Sequence, residues 1–374
     1  MSAPFALIGS ALDPDPGGER MALRRAAARL AGGAAGSAPR DPYDVLAPYV
    51  QRLGPVGLAG KIAVDGRMTP LPASGEAEDA DREALALFLH REGCRSHADA
   101  IAAKVARLQP TIPVMVGIDH SASGGAIEAL SRRIGAPSLG VVVLDSHSDV
   151  VPSALRRGLI EYARENPQGL SLAAEEVDSG LPAPAYDCGS FLNRLIECGA
   201  LLPRNLVILG CSDVPDARLA TIGDARVKAV CDHFRKLAAL GATFVPRERL
   251  IDDPETVATQ ALGHLAGKSI YISVDLDVGA NAALTGVRFL DREGLEEWTL
   301  AAVVEAVLAF VADRATLAGL DLMEFDFYRA GAVTTASRDR TYDIALGILA
   351  RAVARLGPNP GQLQNGRKTC ISGQ

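Results

Sequence analysis

Histidine and aspartate residues concentrate in three short segments of the sequence, and each segment follows a run of apolar residues. Six residues form these segments: His120, Asp145, His147, Asp149, Asp275 and Asp277. Side chains two positions apart on an extended backbone point to the same side, so the members of a segment can converge. Carboxylates and imidazoles crowded beside an apolar core are costly to bury unless a cation lies between them. The spacing therefore predicts a metal site.

The number and type of these ligands favour two metal ions over one. Four carboxylates carry more negative charge than one divalent ion neutralises, and a carboxylate can bridge two ions. Oxygen-rich ligation with two imidazoles suits Mn²⁺, with Fe²⁺, Co²⁺, Ni²⁺ and Zn²⁺ as alternatives. Such a pair activates water and polarises an electrophilic carbon. Any one of these histidines or Asp-x-His steps taken alone is more often structural, so the prediction depends on the grouping of all six.

Apolar runs predict that the three segments follow buried strands. We expect strands at Phe5–Ile8, Val114–Gly117, Gly140–Leu144, Leu206–Leu209, Thr243–Val245, Ile270–Val274 and Leu317–Leu322. Amphipathic stretches predict helices at Arg20–Leu30, Asp81–Leu89, Ala98–Leu108, Gly125–Ile134, Gly189–Cys198, Val227–Leu240, Thr256–Leu265, Thr299–Ala312 and Tyr342–Leu356. Strands that are apolar throughout are typical of a parallel sheet with both faces covered. The alternation predicts a three-layer α/β/α fold with a central, mostly parallel sheet, whose ligands bind beyond the carboxyl ends of the strands.

Composition and charge narrow the class of protein. We expect a single domain over residues 1–374, with 151–184 as an excursion and 357–374 as a flexible tail or subunit contact. A net charge of −7 gives no basic surface for nucleic acid or an anionic membrane, and suits a cationic substrate. There is no run of about 20 apolar residues and no signal peptide, and the six cysteines form no C-x-x-C pair. These features predict a soluble cytoplasmic protein with reduced thiols.

The three segments resemble the motifs of the arginase/agmatinase (ureohydrolase) family. Gly117–Ser121 (GIDHS) is similar to G-G-D-H-S, and Asp145–Asp149 (DSHSD) is similar to D-A-H-x-D. Ser273–Asp277 (SVDLD) resembles the start of S-x-D-x-D-x-x-D-P, and the likeness extends over residues 110–330. The resemblance implies two Mn²⁺ ions, with His120 and Asp149 on one, His147 and Asp277 on the other, and Asp145 and Asp275 as bridges.

A fourth segment carries information about the substrate. Gly319–Glu324 (GLDLME) resembles the family's D-[IL]-x-E motif, and the resemblance implies that Glu324 pairs with a guanidinium or amidine. A planar forked cation is a good partner for a buried carboxylate. The alternative is that Glu324 pairs with an arginine of the chain, such as Arg329.

The sequence also departs from the family pattern. The family usually has a His-Gly step whose histidine helps to shuttle protons, and this chain has Cys188-Gly there. Cys188 is a candidate acid or base, a candidate nucleophile towards an amidine carbon, or a small buried filler. After Asp277 the chain continues Val-Gly-Ala-Asn instead of x-x-D-P, which removes no expected ligand. Asp149 is followed by Val-Val-Pro instead of Ile-Asn, so arginine is not the favoured substrate.

The resemblance implies an agmatinase-like hydrolase that acts on a C–N bond of a small cationic guanidino or amidine (formimino) compound. Urea or formamide and an amine would be released, with Glu324 holding the cation and Asp149 relaying a proton. The family likeness also implies a homo-oligomer, a trimer or a hexamer. We expect substrate specificity to depend on Val150–Pro184 and on the loop Cys211–Asp216.

Three points about this reading stay open. Asp213 and Asp216 are both candidates to meet a distal amine of the substrate. An amide deacetylase is one alternative function, although the presence of Asp277 and Glu324 argues against it. The other alternative is a metal-binding relative without catalysis that regulates or scaffolds a homologue.

Overall fold

The computed structural model describes residues 4–15, 17–32, 39–72, 76, 81–167, 186–333 and 337–357 of the chain. Eight strands lie within these ranges: β1 (Phe5–Ser10), β2 (Val56–Lys61), β3 (Ile112–Gly117), β4 (Leu139–Leu144), β5 (Leu206–Cys211), β6 (Thr243–Pro246), β7 (Ser269–Asp275) and β8 (Thr316–Met323). All of them pair in parallel in one sheet, in the order β2-β1-β3-β8-β7-β4-β5-β6. Strand β8 is the last in the chain but lies near the middle of the sheet.

Twelve α-helices lie in the same described ranges. They are α1 (Gly18–Gly32), α2 (Pro42–Val50), α3 (Arg82–His90), α4 (Gly93–Arg107), α5 (Ala122–Ile134), α6 (Ser153–Glu165), α7 (Phe191–Glu197), α8 (Ala225–Ala239), α9 (Arg247–Asp252), α10 (Pro254–Leu262), α11 (Glu297–Arg314) and α12 (Thr341–Leu356). Aspartate side chains accept hydrogen bonds from backbone N–H groups at the start of α2, α3, α8 and α10, which satisfies donors that the first turn leaves free.

The sheet separates two apolar cores. One core contains side chains of α2, α9, α10, α11 and α12, and the other contains side chains of α3, α4, α5, α7 and α8. Successive residues of β4 alternate between them, with Val142 and Leu144 in the first core and Val141 and Val143 in the second. Because both faces of the strand are buried, its sequence is apolar throughout. The predicted three-layer α/β/α fold is therefore confirmed.

Four central strands position the candidate site. Strands β3, β8, β7 and β4 are neighbours in that order, and each ends where one of the predicted polar segments begins. Leu320 of β8 pairs with Val114 of β3 on one side and with Ile272 of β7 on the other. The carboxyl ends of parallel strands meet at one edge, so segments far apart in the chain come together there.

The structure contains elements that the sequence did not predict. Strand β2 was missed because it lies at the edge of the sheet, includes two glycines and has mostly half-buried or exposed side chains. Helices α2, α6 and α9 were also missed, and α6 occupies the first part of the expected excursion. The rest of the excursion, from residue 168, and the expected tail, from residue 358, lie outside the described residues. No helix in the described ranges has the length and apolar character that crossing a membrane requires.

Candidate metal centre

The imidazole of His120, after β3, is fully buried against three carboxylates. Its Nδ1 atom lies 2.8 Å from an Oδ2 atom of Asp149, 3.0 Å from Asp275 Oδ2 and 3.3 Å from Asp145 Oδ2. Nδ1 and Asp145 Oδ2 are both buried, and neither has a hydrogen-bond partner in the part of the chain that the structure describes. Buried polar atoms without partners are rare, so this arrangement indicates a group that binds between them.

Hydrogen bonds behind His120 determine which ring nitrogen carries the proton. Ser273 Oγ donates its only proton to Asp321 Oδ1 at 2.6 Å, so it must accept from His120 Nε2 at 2.9 Å. Tyr271 also donates to Asp321. Although burial opposes it, the carboxylates of Asp275, Asp145 and Asp149 raise the pKa of His120 well above its usual range, so Nδ1, which faces them, carries either a second ring proton or a cation. The residues therefore fit a divalent metal ion, with Ser273 orienting the imidazole from behind.

A second group of ligand atoms surrounds His147. Its Nδ1 atom lies 3.0 Å from Asp277 Oδ2 and 3.7 Å from Asp145 Oδ1. Asp145 thus belongs to both groups of potential ligands, whereas Asp275 belongs to the His120 group. Asp275 Oδ1 instead accepts from the backbone N–H of Asp277 at 2.9 Å. The structure brings all six residues together, and the roles of Asp145 and Asp275 as metal bridges stay predictions.

The charges of this centre are not balanced by the protein alone. Burial raises the pKa of the Asp145 carboxyl well above its usual range, and the charges of Asp275 and Asp149 raise it further. Burial and Asp277 likewise raise the pKa of Asp275 to about 7. Although burial opposes it, the nearby His147 lowers the pKa of Asp277 to about 2. Without a cation the centre must keep protons, and metal binding would release them.

Two carboxylates of the site have an unusual backbone conformation. Asp149 has a φ of 54° and Glu324 a φ of 63°, in the left-handed region that residues other than glycine rarely adopt. A backbone N–H from another segment holds each carbonyl, Leu192 N at 3.2 Å for Asp149 and Arg288 N at 3.0 Å for Glu324. Strain of this kind persists where the surroundings fix it, and it is concentrated at functional sites.

Glu324 pairs with an arginine of the chain. Its Oε1 atom accepts from the backbone N–H of His120 at 2.8 Å and from Arg288 Nη1 at 3.4 Å. Arg288 Nη1 also lies 3.0 Å from Asp119 Oδ2, and only 4% of the Arg288 side chain is exposed. Arg329, the partner that the sequence suggested as the alternative, bonds instead to Glu19 and Asp326. Sequence reasoning missed Arg288 because the loop that carries it has no recognisable motif.

Cys188 lies beside this ion pair. Its Sγ atom and one carboxylate oxygen each of Asp119 and Glu324 lie within 4.8 Å of one another. Burial raises the pKa of the Cys188 thiol well above its usual range, and the two carboxylates raise it further. The thiol is therefore protonated at neutral pH. It can donate a proton, but it is a poor nucleophile because the thiolate is the reactive form.

A cavity of about 610 Å³ opens onto both groups of ligands. Its wall includes Cys188, Arg288 and Glu324, and α6 contributes side chains from the region where we expected specificity to reside. Of the two aspartates suggested for a distal amine, Asp213 lines the cavity and accepts from Ser148 N at 3.1 Å. Asp216 is exposed, is not among the residues that line it, and pairs with Arg218. The sequence also missed Asp291, an acceptor 3.5 Å from His147 Nε2.

Solved structures of known proteins share the fold of this chain. Proclavaminate amidino hydrolase from Streptomyces clavuligerus is 18% identical, with a TM-score of 0.55 over 95% of this chain and 92% of that chain. Formiminoglutamase from Trypanosoma cruzi, solved with Mn²⁺, is 15% identical, with a TM-score of 0.53 over 95% of each chain. Arginase from Bacillus subtilis is 15% identical, with a TM-score of 0.57 over 95% of this chain and 99% of that chain.

At these identities the structural likeness establishes the fold alone. No curated protein matches the chain by sequence. The model of the Arginase family, however, matches residues 55–338, about three quarters of the chain. This match confirms the resemblance that the three motifs suggested, and the chain belongs to the arginase family.

Proposed function

We propose that the chain is a two-metal hydrolase that breaks a non-peptide C–N bond in a linear guanidino or amidine (formimino) compound. Water adds to the planar carbon, the bond from that carbon to the substituted nitrogen breaks, and this nitrogen takes a proton and leaves as an amine. The carbon leaves in urea or formamide. The observation that carries the proposal is the pair of overlapping ligand groups that share Asp145. Four other members of these groups line the cavity: His147, Asp149, Asp275 and Asp277.

Two divalent ions, which we propose to be Mn²⁺, would supply a Lewis acid and lower the pKa of bound water. We assign His120 and Asp149 to one ion and His147 and Asp277 to the other, with Asp145 and Asp275 as shared ligands. The four carboxylates and the unpartnered Nδ1 of His120 support this assignment. The formiminoglutamase solved with Mn²⁺ has the same fold, which supports the choice of metal.

The other residues would orient the substrate and move protons. Asp149 lines the cavity, and we assign to it the transfer of a proton from water towards the leaving nitrogen. Cys188 lines the same cavity with its proton retained, so it is a second candidate donor to that nitrogen. Glu324 has one oxygen, Oε2, without a hydrogen-bond partner among the described residues, and we assign this atom to a terminal N–H of the substrate.

The experiment that tests the proposal is a screen for released urea and formamide. The full chain would be loaded with Mn²⁺, and in parallel with Ni²⁺, and incubated with agmatine, guanidinobutyrate, guanidine, arginine and formiminoglutamate. We expect turnover of at least one compound, abolished by a chelator and restored by adding the metal. Full activity after exhaustive chelation, or no turnover of any compound in the screen, would contradict the proposal.

One observation favours a second candidate function. The thiol of Cys188 stands where the family usually has a proton-shuttling histidine, and burial keeps it protonated. A metal-binding relative without catalysis would bind two ions, turn over nothing and associate with a partner. Activity that Cys188→His creates in an otherwise inactive chain would favour this candidate.

We further propose a cytoplasmic trimer or hexamer. The five cysteines within the described residues are all free, as is usual in a reducing compartment.

A further inference from the structure

The strongest departure from the expected site is the position of Arg288. Its guanidinium lies between two buried carboxylates, with Nη1 at 3.0 Å from Asp119 Oδ2 and 3.3 Å from Glu324 Oε2. The exposed fractions of these three side chains are 4%, 2% and 1%. The guanidinium of Arg288 therefore contacts the carboxylate of Glu324, to which we assigned the substrate.

Arg288 is held in this position by its surroundings. Its backbone N–H donates to the carbonyl of Glu324 at 3.0 Å, and Nη1 also donates to the carbonyl of Ile118 at 3.4 Å. The guanidinium carbon lies 5.1 Å from the centre of the Phe289 ring, a cation–π contact. The neighbouring residue Val287 forms a β-bridge with Phe325. These contacts on both sides make Arg288 a fixed part of the wall.

The number of free acceptors limits what can bind to Glu324. Its Oε1 atom already accepts from the backbone N–H of His120 and from Arg288 Nη1. Oε2 has no hydrogen-bond partner among the described residues, but it lies 3.3 Å from the same Nη1. A forked guanidinium is recognised best through two parallel N–H···O bonds to both oxygens of a carboxylate. A group with a single terminal nitrogen needs one oxygen.

We propose that Arg288 is a specificity-determining residue of this site, an inference that rests on the proposed hydrolase function. One nitrogen of the chain's own guanidinium, Nη1, lies against both oxygens of Glu324, so a guanidino group cannot form two parallel bonds there. The site therefore selects a reacting group with one terminal nitrogen over a guanidino group. Among the two classes proposed above, an amidine such as a formimino compound is favoured. Its hydrolysis adds water to the carbon, breaks the bond to the substituted nitrogen, and yields formamide and an amine.

The direct test asks whether removal of Arg288 opens a guanidinium site. Thermal unfolding of the full chain would be followed in millimolar guanidinium chloride and in sodium chloride of equal ionic strength, with and without Mn²⁺. We expect Arg288→Ala to gain a guanidinium-specific rise in Tm, about 2 °C at about ten times the Kd. Neither the wild type nor Arg340→Ala should show this rise. Arg340 is the control because it also pairs with a carboxylate, that of Glu297, but is not among the residues that line the cavity.

Two outcomes of this experiment would overturn the proposal. One is an equal guanidinium-specific rise in Tm in the wild type, because both oxygens of Glu324 would then be accessible to a guanidinium already. The other is a folded Arg288→Ala variant that gains no rise in Tm. Should this variant not fold, Arg288→Gln, which keeps most of the length of the side chain, takes its place in the same measurement.

A matched pair of substrates tests the consequence for specificity. The wild type should have a kcat/KM for a formimino compound at least about tenfold above that for the guanidino compound of the same chain length. Arg288→Gln should reduce or reverse this ratio, and a wild-type preference for the guanidino compound would refute the assignment. If the wild type hydrolyses neither compound, the proposed function fails, and the Tm measurement still decides whether Arg288 fills a guanidinium site.

Discussion

Ser273 offers a sensitive test of the metal centre because it contacts His120 without being a potential ligand itself. Its Oγ atom accepts from His120 Nε2 at 2.9 Å and donates to Asp321 at 2.6 Å. We predict that Ser273→Ala weakens metal binding while the chain stays folded. In the metal-free variant the ring proton can move to Nδ1, where the carboxylates accept it. Once a metal holds Nδ1, the proton must remain on Nε2, which then has no acceptor.

The unpaired donor destabilises the metal-bound state, so its free-energy cost is measured as a loss of affinity for the metal. A buried donor without an acceptor costs about 1–3 kcal/mol. At about 1.4 kcal/mol for each factor of ten, this is a loss of about 5-fold to about 150-fold in affinity for one ion. The range includes the 10–100-fold that the loss of a hydrogen bond to a ligating imidazole typically costs.

Isothermal titration with Mn²⁺, in competition with a chelator of known affinity, measures this loss. Ser131→Ala is the matched control, because Ser131 is a buried serine of α5 outside the metal centre. Ser146→Ala is the internal comparison. It removes one donor to Asp277 Oδ1 but leaves the Ser146 backbone N–H at 3.2 Å, so we expect a smaller loss. Wild-type affinity for both ions in a folded Ser273→Ala variant would refute the reasoning.

Three further predictions concern other parts of the molecule. Asp277→Ala leaves Asp145 and His147 as the remaining members of their ligand group, so metal content by plasma mass spectrometry should fall towards one ion per chain and turnover should be lost; two retained ions would contradict this. Cys188→Ser keeps a proton donor and should retain turnover in a steady-state assay, whereas complete loss would identify a covalent role for the thiol. Burial lowers the pKa of His97 to about 4. The unfolded state therefore binds more protons below its pKa of about 6.5, and this group should reduce the unfolding free energy by about 2 kcal/mol from about pH 7.5 to about pH 5. Urea unfolding of His97→Gln should lack this part of the pH dependence, and an unchanged pH dependence would refute it.

The fold was predictable wherever burial was uniform. Strands covered on both faces must be apolar throughout, so the six strands β1, β3, β4, β5, β7 and β8 could be read from short apolar runs. Strand β6 lies at an edge and is mostly half-buried, but its short run Thr243–Val245 was still recognised. The edge strand β2 has one covered side, and its sequence VGLAGK has no such run. Nine of the helices could be read from amphipathic spacing. Helix α6 was missed because its sequence follows directly on the ligand segment and continues into a stretch rich in proline and glycine.

The site was predictable where chemistry is concentrated in a short stretch of sequence. Asp145, His147 and Asp149 converge because they alternate after one strand, and neighbouring strands supply the other ligands. Arg288 and Asp291 could not be predicted in the same way, because each acts through contacts between segments distant in sequence. An isolated arginine in a loop has the same sequence signal whether it is solvated or buried between two carboxylates.

The position of β8 between β3 and β7 has a consequence for how the protein is made. A ribosome releases β3, β4 and β7 well before β8, and chains begin to fold from the N-terminal side during synthesis. Until β8 emerges, no strand joins β3 to β7, so His120 is not yet held against the aspartates that follow β4 and β7. We therefore expect insertion of the proposed metal ions to be a late step in the maturation of the nascent chain. A chain interrupted before Thr316 would carry all six proposed metal ligands and still lack the strand that brings them together.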